Sequence, residues 1–446
     1  MRILFSLVGL CLAFSAHSLD KIHPHNGSFI VKLKGDGDAI NSIFSSHISV
    51  EEVLNKEHGI YLVKGMNTLS NARTLSQLRN NPQIEYAQYD HYVKQRKSPN
   101  DKEFKTQWSL NTGKAQADIN ANQAWELGTG GVDSSGNQIV VAVVDGGVDL
   151  GHSDLERNIW VNEAEIGGNG VDDDQNGYVD DLNGWNAYED NGKIPVARHG
   201  THVAGIIGAV GNNKKLVSGV NWDVKIMSVA GSSRLTSTIV KAYGYVMKQK
   251  KIWMESSGLK GANVVATNSS FGVDYGNCES DDFPVWNDLY NQMGSMGILS
   301  AAATINDSVN VDENGDVPTG CSSDFLVTVT NTNSENKIYE YAGFGANSID
   351  LGAPGTEIVS TVPEGKVGTL TGTSMATPHV AGAIAFLHSV ASTRFNELYL
   401  SRPAEAVRVL KAILLNSVDF NSSLDGKTQS GGKLNLFKAA SEINAY

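Results

Sequence analysis

The sequence predicts a large α/β domain with a mostly parallel central sheet, preceded by a small α+β module. From Phe104 onward, short apolar runs rich in Val, Ile and Ala alternate with helix-compatible stretches, as in parallel sheets covered by helices. Before that point, strand-like and helix-compatible segments alternate within about 75 residues, which favours a small α+β module. The chain has 446 residues, enough for two or three domains.

Composition and the first residues predict a soluble, exported protein. The formal net charge is −13, which argues against nucleic-acid or anionic-membrane partners. One Arg, an apolar run and then Ala16-His17-Ser18 form a signal-peptide pattern that is too short to span a membrane. We therefore expect residues 1–18 to be a signal peptide. The mature protein should be a monomer without a membrane span, secreted to the extracellular space or the periplasm.

Two cysteines remain once the signal peptide, which contains Cys11, is removed. They are Cys278 and Cys321. In an exported protein such a pair suggests one disulfide. The alternative is two free thiols, because the sequence does not give the distance between them.

The small module is predicted at residues 19–97 and the large domain at 98–446. A charged, proline-containing linker, Lys94–Asp101, joins them. This position between a signal peptide and a large domain suggests a propeptide, and the alternative is a permanent accessory domain. The expected strands are Ser28–Lys34, Gly59–Lys64 and Ile84–Tyr89, with helix-compatible segments near Asp38–Phe44 and Leu69–Asn80.

In the large domain, Asp145 directly follows a continuous β-branched strand, Ile139–Val144. Functional residues of open parallel sheets collect beyond the carboxyl ends of the strands, so this carboxylate is a candidate functional group. Further strands are expected at Val224–Val229, Asn263–Asn268, Ile298–Ala303, Leu326–Val329 and Lys366–Leu370, and helices at Thr236–Lys248, Phe283–Met293 and Glu405–Leu415.

Two further polar residues stand at predicted helix starts. His199 precedes the apolar stretch Gly200–Ile207, and Ser374 lies on a glycine-flanked turn before an apolar helix. Pro378 is expected in the first turn of that helix, where proline is tolerated. Acyl transfer requires a hydroxyl, a base that titrates near neutral pH and a carboxylate that orients the base. Ser374, His199 and Asp145 could supply these three groups.

Three segments resemble the catalytic blocks of the subtilisin-like serine proteases: Val144–Asp149, His199–Gly205 and Gly372–Gly382. The resemblance implies a three-layer α/β fold, with Ser374 as nucleophile, His199 as general base and acid, and Asp145 as its orienting carboxylate. It also implies that the N-terminal module is a ferredoxin-like propeptide. In the family this segment assists folding, inhibits the active site and is removed by self-cleavage.

The same resemblance implies the substrate-binding residues. Ser270, Phe271 and Gly272 match the strand whose backbone pairs with an extended peptide. Asn306 matches the side-chain donor of the oxyanion hole. The specificity pocket is matched by Ala303, Thr304 and Ile305.

Ile305 departs from the family pattern, which has glycine before the oxyanion asparagine. A β-branched residue does not readily adopt a positive φ, and its side chain needs space. We expect Ile305 to narrow the pocket and favour small side chains before the scissile bond. The alternatives are that Ile305 points away without effect, or that it displaces Asn306 and weakens the enzyme.

An acidic loop, Asn169–Asp181, has oxygen-bearing residues at alternate positions, like the first nine positions of an EF-hand. Its carboxylates would repel one another without a cation, so we expect structural Ca²⁺ rather than a solvated turn. No organic cofactor is expected. The predicted calcium ligands are Asp172, Asp174, Asn176, the carbonyl of Tyr178, and Asp180.

The pattern as a whole predicts a secreted, calcium-stabilised serine endopeptidase that hydrolyses proteins and peptides and is made as a self-processing zymogen. A catalytically weak relative that acts as a binding protein is the main alternative, and it depends on Ile305. A third reading is a peptide ligase, which transfers the acyl group to an amine instead of water.

Overall fold

A computed structural model describes residues 24–34, 47–65, 70–91, 98–111, 117–233 and 235–446. The chain divides into two compact units, Met1–Gln95 and Arg96–Tyr446. The expected signal peptide, the helix-compatible segment at 38–44 and the first part of the linker lie outside the described residues.

In the first unit, the described strands form a four-stranded antiparallel sheet in the order β2-β3-β1-β4. Alternate residues of β1 and β3, such as Phe29 and Val63, are buried with Leu78 of helix α1. Strand β2 was missed from the sequence because it is a mostly exposed edge strand with little apolar alternation. The elements are β1 (Pro24–Leu33), β2 (Ile48–Asn55), β3 (Ile60–Gly65), α1 (Asn71–Arg79) and β4 (Ile84–His91).

The described part of the second unit is built on a nine-stranded sheet in the order β16-β17-β13-β12-β10-β8-β5-β7-β6. All neighbouring strands are parallel except β16 and β17. Four more of the described strands form two-stranded ribbons outside this sheet, β9 with β11 and β14 with β15. The strands of the unit are β5 (Val140–Asp145), β6 (Gly184–Asn186), β7 (Lys225–Ala230), β8 (Val264–Ser269), β9 (Val273–Asp274), β10 (Leu299–Ala303), β11 (Asp316–Val317), β12 (Leu326–Thr332), β13 (Leu351–Pro354), β14 (Ile358–Val362), β15 (Lys366–Leu370), β16 (Asp419–Phe420) and β17 (Gly432–Lys433).

Helices cover both faces of this sheet. They are α2 (Ala121–Ala124), α3 (Arg198–Gly208), α4 (Thr236–Glu255), α5 (Pro284–Ser295), α6 (Val311–Asn314), α7 (Thr373–Val390), α8 (Thr393–Ser401), α9 (Pro403–Asn416) and α10 (Leu436–Ala445). Alternation along β5 separates two cores: Val141 and Val143 pack in the core of α3 and α7, whereas Val140 and Ala142 pack in the core of α4 and α5.

Two further features bear on the sequence predictions. Cys278 and Cys321 form a disulfide with 5.0 Å between their Cα atoms, so the pair is bonded in this structure. Among the described residues, no helix is long and apolar enough to cross a membrane.

Candidate active site

A histidine and a carboxylate meet where a strand ends and a helix begins. Asp145 is the last residue of β5, and His199 is the second residue of α3. Nδ1 of His199 lies 2.8 Å from Oδ2 of Asp145, while Oδ1 of Asp145 accepts a hydrogen bond from the backbone N–H of Gly146 at 2.7 Å. Because a carboxylate acceptor requires a proton on Nδ1, it leaves Nε2 of His199 available as a base.

Gly200 permits this close approach. A Cβ atom at position 200 would lie 2.1 Å from the carbonyl oxygen of Gly147 and 3.0 Å from Oδ1 of Asp145. Any side chain would push the start of α3 away from the end of β5. Glycine is therefore required by the packing that brings His199 to Asp145.

The electrostatic setting of His199 favours a base. Burial lowers the pKa of His199, but the hydrogen bond and the negative charge of Asp145 more than offset this, so the pKa is raised above its usual 6.5. The side chain remains 42% exposed, so a substrate can reach it. By contrast, His202 is buried, its Nε2 bonds the carbonyl of Ile358, and burial lowers its pKa to about 4. His202 is thus a neutral structural residue.

Ser374 is the second residue of α7, where the first backbone N–H groups of a helix have no partner within the helix. Its Oγ donates a hydrogen bond to the carbonyl of Ser270 at 3.4 Å. The described residues show no hydrogen bond between Ser374 and His199. Such bonds are often long or absent without substrate.

Pro378 does not lie in the first turn of α7, so that expectation was wrong. It is the sixth residue of the helix and lacks the N–H that would bond the carbonyl of Ser374, four residues earlier. Oγ of Ser270 donates to this carbonyl at 3.0 Å. Because Pro378 has no N–H to donate, the carbonyl of Ser374 accepts the hydrogen bond from Ser270 instead. This bond links the start of α7 to the segment that follows β8.

The amide of Asn306 is oriented by Thr373. Its Oδ1 accepts a hydrogen bond from the backbone N–H of Thr373 at 2.9 Å and lies 3.1 Å from Oγ1 of the same residue. The hydroxyl of Thr373 in turn donates to the carbonyl of Thr304 at 2.5 Å. Because the carbonyl end is engaged, Nδ2 of Asn306 is the donor left for an oxyanion. Sequence reasoning did not identify Thr373.

Ser374, Asn306 and Thr373 border one cleft of about 380 Å³. All six predicted substrate-binding residues line it, together with Ser374 and Asn306. The lining residues are Ser270, Phe271, Gly272, Asp274, Tyr275, Ala303, Thr304, Ile305, Asn306, Asp307, Asp316, Thr373 and Ser374. His199 and Asp145 are not among them. The sequence had not singled out Asp274, Tyr275, Asp307 or Asp316.

The expectation that Ile305 narrows the pocket is not supported. Ile305 is 7% exposed and packs in a small apolar cluster with Val311 and Ile349. It does not have a positive φ. A Cβ at Gly343 would lie 2.8 Å from Cγ2 of Ile305, so glycine there makes room for the side chain. Ile305 lines the cleft, but the packing of its side chain in this cluster favours the alternative in which the side chain points away.

The acidic loop brings together a ligand set that differs from the predicted one. Carboxylate oxygens of Glu165, Asp172 and Asp174 all lie within 4.8 Å of one another. With Ca²⁺–oxygen distances of about 2.3–2.6 Å, this spacing fits one calcium ion. Glu165 precedes the loop and was not predicted.

Two predicted ligands are directed elsewhere. Oδ1 of Asp180 accepts hydrogen bonds from the backbone N–H groups of Gly168 and Asn169 at 2.7 and 3.0 Å. Oδ1 of Asn176 accepts from the backbone N–H of Tyr178 at 2.7 Å, and its Nδ2 donates to Asp181. Neither side chain belongs to the converging group, and both stabilise the loop backbone, as Asp172 also does. The carbonyl of Tyr178 stays a prediction.

A comparison with known protein families assigns this part of the chain to a family. The sequence profile described as the Subtilase family matches residues 136–437, more than half of the chain. The chain belongs to the subtilase family. The match spans β5, α3 and α7, the elements that position Asp145, His199 and Ser374.

Curated relatives of this subtilase include an extracellular protease of Xanthomonas campestris pv. campestris, which is 30% identical over 339 residues. That match covers 72% of this chain and 54% of the relative. An extracellular basic protease of Dichelobacter nodosus is 29% identical over 420 residues, covering 87% of this chain and 62% of the relative. The subtilase chain described here thus spans about half to three fifths of these relatives.

Solved structures show the same fold as this subtilase. A protease from Pseudoalteromonas arctica PAMC 21717 has a TM-score of 0.56 at 24% identity, covering 78% of this chain and 100% of that chain. The epidermin leader peptide processing serine protease of Staphylococcus aureus has a TM-score of 0.54 at 19% identity, covering 94% of this chain and 98% of that chain. The predicted three-layer α/β fold is confirmed.

Proposed function

We propose that this subtilase is a serine endopeptidase that hydrolyses peptide bonds through an acyl-enzyme. The observation that carries the proposal is the 2.8 Å contact of His199 with Asp145, on elements that adjoin the Ser374 helix. Oγ of Ser374 attacks the peptide carbonyl and Nε2 of His199 takes its proton. His199 then protonates the departing amine, and a water molecule, activated by the same nitrogen, releases the acyl group.

The negative charge that develops on the carbonyl oxygen is stabilised by two donors, Nδ2 of Asn306 and the backbone N–H of Ser374. The orientation of Asn306 by Thr373 supports this role, since the donor is held in place before the substrate binds. Loss of one such donor costs a rate factor of about 10²–10³.

The substrate is an extended segment of protein or peptide. Ser270, Phe271 and Gly272 line the cleft directly after β8, where their backbone can pair with such a segment. A Cβ at Gly272 would lie 2.4 Å from the carbonyl oxygen of Val317, so glycine is needed for this edge to pack beside β11. Main-chain pairing of this kind binds many sequences, and the pocket side chains select among them.

Residues 19–97 act as a propeptide that assists folding, inhibits the enzyme and is removed by self-cleavage. The support is a separate compact unit that ends at Gln95, two residues from the predicted boundary, with its own apolar core. Export through the signal peptide at 1–18 is part of the same proposal. It agrees with the names of two relatives, which are described as extracellular proteases.

The Glu165, Asp172 and Asp174 oxygens would hold a structural Ca²⁺, which would offset two of the three converging negative charges. The acidic loop lies between β5 and α3 in sequence, the elements that carry Asp145 and His199. A bound ion there would stabilise that connection, and no catalytic step depends on it.

Substitution of the nucleophile tests the enzyme and zymogen proposals together. The Ser374→Ala variant of the full chain should lose peptide cleavage by on the order of 10⁶-fold and remain unprocessed. The control is Ser389→Ala on the same helix, whose hydroxyl bonds only the carbonyl of Phe386 among the described residues. Self-maturation of Ser374→Ala would contradict self-cleavage. A wild type that cleaves no peptide but binds them would favour the binding-protein alternative.

A further inference from the structure

The cleft beside Ser374 has a carboxylate in its wall that no step above uses. Asp316 begins β11, which pairs with β9 as a short antiparallel ribbon. It lines the cleft yet is only 1% exposed. A buried carboxylate at the edge of a substrate cleft requires compensation by hydrogen bonds or a cation.

Hydrogen bonds satisfy one of the two carboxylate oxygens. Oδ2 of Asp316 accepts from the backbone N–H of Ile305 at 3.0 Å, from Oγ1 of Thr304 at 3.1 Å and from Oγ1 of Thr319. Donors to Oδ1 are absent from the described residues. Oδ1 lies 3.6 Å from the point where Gly272 would carry a Cβ. The unbonded oxygen therefore borders the substrate segment, beside a residue without a side chain.

The surroundings of Asp316 are negatively charged. Asp274 is directly opposite it in the ribbon, and like charges in such a position repel. Asp307 stands at the exposed rim, bonded by the hydroxyl of Tyr275 at 3.0 Å. The lining residues of the cleft include these three carboxylates and neither lysine, arginine nor histidine.

Asp316 carries its charge at neutral pH. Burial raises its pKa, hydrogen bonds from Thr319, Ile305 and Thr304 lower it, and the charge of Asp274 raises it again, to a value of about 6. Above that value an unneutralised carboxylate faces the cleft.

A metal ion is not the counter-charge that the geometry favours. In the described part of the chain, the acidic group whose oxygens converge closely enough for an ion is Glu165, Asp172 and Asp174, not the three carboxylates of the cleft. The volume of the cleft lies within the usual range of ligand pockets. A positively charged side chain of the bound substrate therefore fits as the counter-charge.

We propose that Asp316 makes this pocket selective for lysine or arginine at the P1 position, the residue whose carbonyl Ser374 attacks. Oδ1 accepts a charge-assisted hydrogen bond from the ammonium or guanidinium group, and Asp274 and Asp307 add attraction at the rim. The inference rests on the proposed peptidase function and names the substrate class of the same site.

Matched substrates test the proposal. Two peptides identical except for arginine or citrulline at P1 differ in charge but hardly in shape. Wild type should cleave the arginine peptide with a kcat/KM on the order of ten- to a hundredfold higher, as expected for a hydrogen bond to a charged group. In Asp316→Asn this ratio should fall close to one, while cleavage of the citrulline peptide persists.

The control is Asp223→Asn, which also removes one carboxylate. Asp223 lies just before the amino end of β7, and the cleft lies at the carboxyl ends of the strands. Asp223 pairs only with Arg157 among the described residues, and its loss should leave the arginine-to-citrulline ratio unchanged. A wild-type ratio near one, with both peptides cleaved, overturns the inference and leaves the peptidase function intact. Cleavage of neither peptide overturns the peptidase function itself.

A pH series on wild type gives a second readout, which does not depend on the folding of a variant. His199 titrates in the reaction of both peptides, so its effect cancels in the ratio. The other charged groups in the cleft wall are Asp274, directly opposite Asp316, and Asp307, both carboxylates. The ratio should fall as pH drops through about 6, where Asp316 takes up a proton. A ratio that stays constant from pH 5 to 8 would overturn the role of Asp316.

Discussion

The bond between His199 and Asp145 bears on the pH dependence of the proposed peptidase activity. Because Asp145 raises the pKa of His199, the imidazole loses its proton at a higher pH than a free histidine. Only the neutral form can accept the proton of Ser374. We expect kcat/KM to rise with pH through a midpoint above 6.5, the usual value for histidine.

The Asp145→Asn variant tests this cause. It removes the two contributions that raise the pKa of His199 and leaves burial, so the midpoint should move to lower pH. The rate should fall by on the order of 10⁴-fold because the wrong histidine tautomer is favoured. Asp149→Asn serves as control, since that carboxylate accepts from the backbone N–H of Glu364 and has no bond to His199 among the described residues. An unchanged midpoint in Asp145→Asn would contradict the assignment.

The role expected of Ile305 differs once the packing of its side chain is known. It lines the cleft, but its burial with Val311 and Ile349 indicates that its side chain contributes mainly to stability. Ile305→Ala should lower the free energy of unfolding by about 2–4 kcal/mol, as for other truncations in apolar cores. The P1 preference should stay unchanged.

Urea unfolding in the Ser374→Ala background, which prevents self-digestion, measures the stability of the Ile305→Ala variant. A peptide library measures its preference in the active background. Val311→Ala is the matched control, because it truncates the same cluster at a residue that does not adjoin Asn306. A shift toward large P1 residues in Ile305→Ala alone would restore the pocket-narrowing hypothesis.

At the scale of single elements, the acidic loop is a scaffold that the sequence predicts only in part. The alternation of carboxylates is visible in the chain, but the third converging carboxylate, Glu165, precedes the loop. Asp180 instead closes the turn at Gly168 and Asn169. Local spacing does not show which of the carboxylates converge on one point.

Calcium removal should lower the unfolding temperature of the Ser374→Ala protein by about 4 °C. Ligand at about a hundred times its Kd contributes about 2.7 kcal/mol, and a domain of this length has an unfolding entropy of about 0.7 kcal/mol/K. Glu165→Gln should abolish most of this calcium-dependent shift. Asp180→Asn should lower stability while the shift persists. Differential scanning calorimetry with and without chelator measures both effects.

The outcomes separate two ligand sets. If Asp180→Asn abolishes the shift and Glu165→Gln retains it, the set read from the sequence is correct and the set read from the structure is wrong. A chelator that leaves wild-type stability unchanged would contradict calcium binding altogether.

Helix α7 shows a second limit of local reasoning. Its existence and its polar start are predictable from Gly372 and the apolar run that follows. The placement of Pro378 was wrong because the helix begins at Thr373, earlier than a first-turn proline allows. The missing N–H is compensated by Oγ of Ser270, a residue 104 positions away in sequence.

For the whole molecule, the parallel sheet explains why distant segments meet. Asp145, Ser269 and Ala303 end β5, β8 and β10, which are neighbours in the sheet and run in the same direction. Their carboxyl ends therefore form one edge, and the cleft and Ser374 lie along it. Because of this edge, the six residues that the motifs predict to bind substrate lie in one cleft.

The sequence by itself determined six of the strands and five of the helices of the large domain, the three candidate catalytic residues and the family. These follow from local periodicity and from motifs that are contiguous in the chain. Only the tertiary structure decided that Ile305 packs in an apolar cluster, that Glu165 converges with Asp172 and Asp174, and that Asp316 lines the cleft. The physical reason is that side-chain direction and the convergence of charges depend on packing between segments far apart in sequence, and no local pattern records that packing.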